Sequence, residues 1–339
     1  MAEKKLGKQT VKLSNPPSII STYSIVGPKE GAGPLGKFFD TILEDEYWGE
    51  TTWEKAETKM VKECTSNALS KVRLSNEDID YLLAGDLINQ CTPSCFGSRE
   101  TNIPFFGLFG ACSTFVEGLS LGSMLIDGGF ATNVACITSS HFCSAEKQFR
   151  FPLELGNQRP PSAQWTVIGA GAAVITKNSE GPFITHVTTG KIVDMGIKDA
   201  NNMGAAMAPS AVDTMYQHFQ DTGRGPSYYD LILTGDLGMV GKSIAIDLME
   251  SRGYNIKNNY NDCGVLIFND KEQDTHSGGS GCGCCASTFC GYIYNQLKAK
   301  KLKRILLIAT GALMSPTTAQ QKESISGIAH AVSIELLEA

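Results

Sequence analysis

No apolar run in this sequence approaches the ~20 residues needed to cross a bilayer. The first residues, Met1-Ala2-Glu3-Lys4-Lys5, are polar where a secretory leader would be apolar. The expectation is a soluble chain with no signal peptide. Positive charge is in short supply as well: 29 Lys and Arg stand against 35 Asp and Glu, a net charge of −6, with a pI near 5.5. That balance argues against a general affinity for nucleic acid or for acidic lipid. An anionic ligand must then be met by locally placed donors.

Familiar cofactor and metal motifs are missing too. The run Trp165-Thr166-Val167-Ile168-Gly169-Ala170-Gly171-Ala172-Ala173-Val174-Ile175 reads as one strand and has no Gly-Lys-Ser/Thr ending, so it is not a nucleotide loop. Its small residues suit a strand packed closely against a helix. No carboxylate cluster has the spacing of a dedicated calcium loop. The eleven cysteines are odd in number and scattered, which suits a reducing compartment rather than a disulfide framework. Cys282, Cys284, Cys285 and Cys290 lack a second spaced pair, so they match no usual zinc pattern and read as small buried thiols at a close helix contact. No cofactor and no metal site is expected.

What is present is a core-forming chain: 42% of its 339 residues are hydrophobic and 19% charged, enough for two domains or one large duplicated one. Its organising stretch is Gly110-Ala111-Cys112-Ser113-Thr114-Phe115. An apolar segment, 103–109, leads into this turn, and Phe115, Leu119, Gly122 and Ile126 then recur at helical spacing. The pattern predicts a cysteine at the start of a buried helix. Unpaired amides and the helix dipole at such a position lower a thiol pKa, to ~3.5–7.5 in known settings. The same amides equally receive a carboxylate.

Before and after this stretch the pattern predicts a strand at 19–25, a glycine- and proline-rich loop at 27–36, an amphipathic helix at 53–71 and a strand at 81–84 ending on Gly85-Asp86-Leu87. A second strand running into Gly235-Asp236-Leu237 repeats that phrase. Ser113-Thr114-Phe115 returns as Ser287-Thr288-Phe289, each early in a helix that precedes a strand, 133–138 and 304–310. Two signals in the same order indicate an internal duplication, with halves at 1–178 and 179–339. Each half is then a β-α-β-rich unit, and the two sheets share buried helices. By symmetry, Asp86 and Asp236 take amide-capping roles.

A duplicated α/β unit with a Gly-Ala-Cys-Ser helix start and a Gly-Ala-Gly-Ala-Ala-Val strand resembles the thiolase and ketoacyl-synthase superfamily over roughly residues 18–336. The resemblance implies a five-layer α-β-α-β-α fold, a homodimer formed by edge pairing of the first-half sheets, and Cys112 at the position of the acyl-accepting nucleophile. The partner positions depart from the superfamily. Its His-Gln-Ala-Asn-type turn is here Gly235-Asp236-Leu237-Gly238, and its second partner falls at the turn Gly278-Gly279-Ser280-Gly281-Cys282-Gly283. His276 lies just ahead of that turn, and Gly327-Ile328-Ala329-His330 resembles the strand bordering the superfamily's pocket.

A narrower resemblance is carried by Gly27-Pro28-Lys29-Glu30, Ala84-Gly85-Asp86-Leu87, Thr138-Ser139-Ser140-His141, Ala145-Glu146 with Gln148-Phe149-Arg150, and Gln320-Gln321-Lys322-Glu323. These phrases are similar to the stage V sporulation protein AD family, thiolase-like components of the endospore machinery that moves dipicolinic acid. It implies a non-catalytic subunit that binds dipicolinate, alone or as its calcium chelate, and works with membrane proteins at the spore inner membrane in uptake and in release on germination. Such a flat dianion needs donors at both ends. Cys112, Ser113 and Thr114 offer a helix start for one carboxylate, His141 a ring nitrogen, and Arg150 a planar guanidinium between aromatic residues. His276 and His330 complete the candidate set. The alternative is an acyl-transfer enzyme in which Cys112 attacks and His276, His330 or His141 is the base.

Overall fold

The computed structural model describes residues 3–89, 91–148, 152–156, 158–177 and 179–337. Strands β1 (Ser18–Val26), β2 (Tyr81–Gly85), β3 (Phe105–Gly107), β4 (Asn133–Ser140) and β5 (Gly169–Thr176) belong to one sheet. Strands β6 (Pro182–Thr188), β7 (Leu231–Thr234), β8 (Tyr260–Asp262), β9 (Arg304–Leu313) and β10 (Ser326–Leu336) belong to the other. Their spatial orders are β1-β5-β4-β2-β3 and β6-β10-β9-β7-β8, the same order twice.

Pairing sense repeats with the order. The strands β5 and β10 run antiparallel to both neighbours, whereas β2 and β7 run parallel to both of theirs. The sheets touch through one backbone pair, Ser18 with Phe183. The duplication read from short phrases is therefore a duplication of topology.

Five helices fix the layers: α1 (Trp53–Ser70), α2 (Thr114–Asp127), α3 (Met203–Thr222), α4 (Gly238–Ser251) and α5 (Cys282–Thr288). Helix α2 packs on β4, β2 and β5 on one side and on β10 and β9 on the other, and α5 lies beside it against β5 and β4. Helix α1 covers the outer face of the first sheet, and α3, flanked by α4, covers that of the second. The architecture is α-β-α-β-α, as the superfamily resemblance implies.

Small residues make the central layer possible. A Cβ on Gly171 of β5 would run into the Ala286 carbonyl of α5, and one on Gly122 of α2 would press on Ile175, Val134 and Leu83. All eleven cysteines are free, and the four from Cys282 to Cys290 are buried in this layer. Among the described residues no cluster of His, Cys, Asp and Glu suits a metal ion, and no helix is long and apolar enough to cross a membrane.

Three local expectations need correction. The glycine- and proline-rich loop contains a helical turn, Pro28–Gly31, because Pro28 at its first position fixes φ for a helix. The stretch around Trp165 is not one strand: Trp165–Thr166 pairs with Gly279–Ser280, and β5 begins only at Gly169. Ser287-Thr288-Phe289 comes at the end of α5, where the helix widens into a π turn, rather than early in it. The echo still has a packing consequence, since Phe115 and Phe289 meet with ring centroids 5.7 Å apart.

Candidate functional site

Strands β2, β4 and β9 end together, and the loops that follow them enclose a cavity of about 290 Å³. This is where open α/β sheets place ligands, because the chain diverges beyond the strand ends. The cavity lies over Cys112, and Ala111, Ala145, Ala312, Leu313 and Met314 give it a mostly apolar wall. Asn89, Glu146, Gln148, Thr166, Ser280 and Ser315 supply its polar groups.

Cys112 stands in a 3-10 turn, Ala111–Ser113, directly ahead of α2. Ala111 is held at φ +50°, an arrangement that costs about 1–3 kcal/mol in a residue with a Cβ. The turn is pressed onto β9, where a Cβ on Gly311 would meet Gly110 and Ala111. The surroundings thus fix the strained turn and point Cys112 at the cavity floor.

The thiol is not activated, contrary to the expectation from its place at a helix start. Burial pushes the Cys112 pKa well above its ordinary value, and the charge of Asp236 pushes in the same direction. The two side chains are neighbours beneath the cavity. Asp236 is itself buried and receives Ser280 Oγ at 2.8 Å, the Gly281 amide at 3.3 Å and the Thr310 hydroxyl. Burial raises the pKa of this carboxylate despite those donors. Cys282 lies alongside, its thiol donating to the Ala111 carbonyl at 3.0 Å.

Asp86, the counterpart of Asp236, does cap amides, accepting from the backbone of Ile88 and Ser94. Asp236 departs from that symmetry by reaching Cys112. Sequence reasoning placed it in a structural role and missed its part in the site; the signal available was its position where the superfamily carries the histidine turn.

The other candidates are not brought together with Cys112. Ser113 and Thr114 turn their hydroxyls back to the Gly110 and Ala111 carbonyls, both at 2.6 Å, so these groups serve the turn and not the cavity. Both nitrogens of His141 are engaged: Nδ1 accepts from the Cys143 amide at 3.2 Å, and Nε2 lies 2.8 Å from the Glu46 carbonyl. That ring is buried, its pKa is lowered by desolvation, and it caps the short helix Phe142–Glu146. His276 sits in a loop 3.6 Å from the Asp274 carboxylate. His330, on β10, accepts from the Gly190 amide at 3.2 Å, and burial lowers its pKa to about 4. None of these three histidines lines the cavity. Arg150 lies outside the described residues. Lys147, its neighbour along the chain, is paired with Glu54.

The model of the stage V sporulation protein AD family matches residues 7–335. The chain belongs to that family. Stage V sporulation protein AD of Bacillus subtilis (strain 168) is 46% identical over 332 residues, 98% of each chain, which supports a role in sporulation. Solved structures of the same fold include 3-oxoacyl-[acyl-carrier-protein] synthase III from Aquifex aeolicus VF5, at 16% identity and a TM-score of 0.57, covering 94% of this chain and 99% of that one. OleA from Xanthomonas campestris matches at 13% identity and a TM-score of 0.61, covering 96% and 99%. At these identities the likeness is one of fold: this member of the sporulation family is built on the thiolase-like frame of ketoacyl synthases.

Proposed function

We propose that the chain is a non-catalytic binding subunit for dipicolinate, free or as its calcium chelate, in the sporulation machinery, and that the ligand occupies the cavity over Cys112. The observation that carries this reading is the burial of the Cys112 thiol beside Asp236, with no histidine in the described lining of the cavity. Acyl transfer needs a thiolate and a neighbouring base that returns its proton, whereas this thiol is kept protonated beneath a carboxylate. The cavity volume of about 290 Å³ falls just below the ~300–1,000 Å³ range of drug-sized sites, in keeping with a small ligand. Apolar walls with hydroxyls and amides at their margins suit a flat ring with polar ends.

Charge favours the chelate. The described lining contains no Lys or Arg and one carboxylate, Glu146, which accepts from Thr166 Oγ1 at 3.2 Å. That carboxylate opposes a free dianion more than a neutral calcium complex. The same reading has membrane proteins of the spore as partners, at the inner membrane, and two copies of the chain pairing along the exposed edge strand β3.

Calorimetric titration tests the assignment. Dipicolinate is expected to bind saturably, more tightly with calcium, and Ala312→Phe, which fills the cavity, is expected to weaken binding by about tenfold or more. Glu146→Gln should narrow the difference between the free acid and the chelate. No binding of either form, or binding unchanged in Ala312→Phe, would refute the assignment. Transfer of an acyl group from a thioester to Cys112 would return the chain to the acyl-transfer enzymes whose fold it shares.

A further inference from the structure

At the end of the second sheet opposite the cavity, residues 298–304 read Lys-Ala-Lys-Lys-Leu-Lys-Arg. Lys298, Lys300, Lys301, Lys303 and Arg304 are all exposed, and the stretch has no acidic residue. In a chain of net charge −6 this is a local inversion of sign. The segment borders a groove of about 1200 Å³ whose apolar floor includes Ile20, Phe183, Leu297 and Leu336 and whose rim carries Lys298, Lys300 and Lys303. Leu337, at the edge of the same groove, is 49% exposed. Among the described residues three carboxylates lie nearby: Glu180 also lines the groove, Asp230 receives the backbone amides of Lys303 and Arg304, and Glu335, already paired with Arg224, stands opposite Arg304 in the sheet.

We propose that this end of the molecule docks on an anionic phospholipid surface. Five exposed cations within seven residues form a cluster of the size that reads as recognition of acidic lipid, each adding about fivefold in affinity near such a surface. The apolar floor behind the lysines matches the second half of that chemistry, since an amphiphile brings a charged head and an apolar body together. Four of the five cations are lysines. Their ammonium groups on flexible stems suit a fluid array of head groups better than the fixed, bidentate geometry an acidic peptide offers.

Strand β9 gives the docked orientation. It starts at Arg304, in the basic segment, and ends at Leu313, in the cavity wall. Its ten residues at ~3.3 Å each put the cavity roughly 30 Å from the lipid, on the far side of the sheets. The proposal holds whatever the cavity contains, so its failure and that of the dipicolinate assignment are separable.

The test is flotation of the purified full chain with vesicles of phosphatidylcholine containing phosphatidylglycerol, beside vesicles of phosphatidylcholine alone. The chain is expected to float with the anionic vesicles only and to be released by salt. The quadruple variant Lys298→Glu, Lys300→Glu, Lys301→Glu, Lys303→Glu should lose about tenfold or more of the bound fraction. The control Lys55→Glu, Lys271→Glu, at exposed lysines elsewhere, should keep it. Thermal unfolding checks that each variant is folded, and the Lys→Gln quadruple, with a smaller loss expected, replaces the Glu variant if that one is not. No flotation, equal flotation with phosphatidylcholine alone, or unchanged flotation of the quadruple variant would overturn the proposal. So would retention on immobilised polyglutamate without flotation, which would assign the patch to an acidic protein.

Discussion

Burial and the neighbouring charge of Asp236 hold the Cys112 thiol protonated, and a thiol in that state is a poor nucleophile. Alkylation of the native protein, followed by peptide mass, should therefore leave Cys112 unmodified near neutral pH. Asp236→Asn removes the neighbouring charge and should speed modification of Cys112 by about tenfold, in line with a shift of about one pKa unit. Faster labelling of Cys112 than of the exposed Cys95 in the unmutated chain would contradict the arrangement. Cys112 and the helix behind it were legible because they lie within one continuous stretch. Its partners were not, because Asp236, Ser280 and Thr310 arrive from three separate segments of the chain and only the fold brings them together. The histidines mislead for the same reason: what each ring meets, the Glu46 carbonyl, Asp274 or the Gly190 amide, comes from elsewhere in the chain or from its local turn.

At the scale of elements, periodicity found α1, β1, β2, β4 and β9 to within a few residues, since each buries one patterned face or a continuous apolar run. It missed the break between Trp165 and Gly169, which exists only because Gly279–Ser280 pairs there. The central layer depends on a contact that the run of small residues announced. Gly171 of β5 lies directly under Ala286 of α5, so Gly171→Ala should force the helix off the sheet. A loss of about 1–3 kcal/mol is expected in chemical denaturation, as for overpacking in other cores. An unchanged midpoint would show that the two layers are looser than the geometry requires. Gly49→Ala is not a fair control, because its positive φ strains any side chain; Gly225→Ala, which meets open space, is.

The whole molecule buries ionisable groups of both kinds, and their linkage signs oppose each other. Burial raises Glu30 and Glu57 to about 8. Unfolding lets these carboxyls ionise, so their contribution is full below ~4.5 and is lost as pH rises toward 8. His186 and His218, lowered to about 4 and about 3, act in reverse. The unfolded chain takes up their protons first, so stability falls as pH drops below ~6.5. Glu335, lowered to about 2, adds to that acid limb. Melting temperature should therefore peak in mildly acidic solution, and Glu57→Gln should flatten the alkaline limb while leaving the acid limb in place. A melting temperature that climbs steadily from about pH 6 to pH 8 would be inconsistent with these burials.

At the same scale a thiolase-like frame, in a member of a sporulation family, carries a cavity over a buried cysteine. The most direct test is a structure determined with calcium and dipicolinate present. The predicted result is the ligand in the cavity above Cys112, beside Met314 and Ser280, with the Cys112 sulfur unmodified. Ligand bound elsewhere with that cavity empty, or an acyl group on Cys112 after exposure of the same crystals to an acyl thioester, would contradict it.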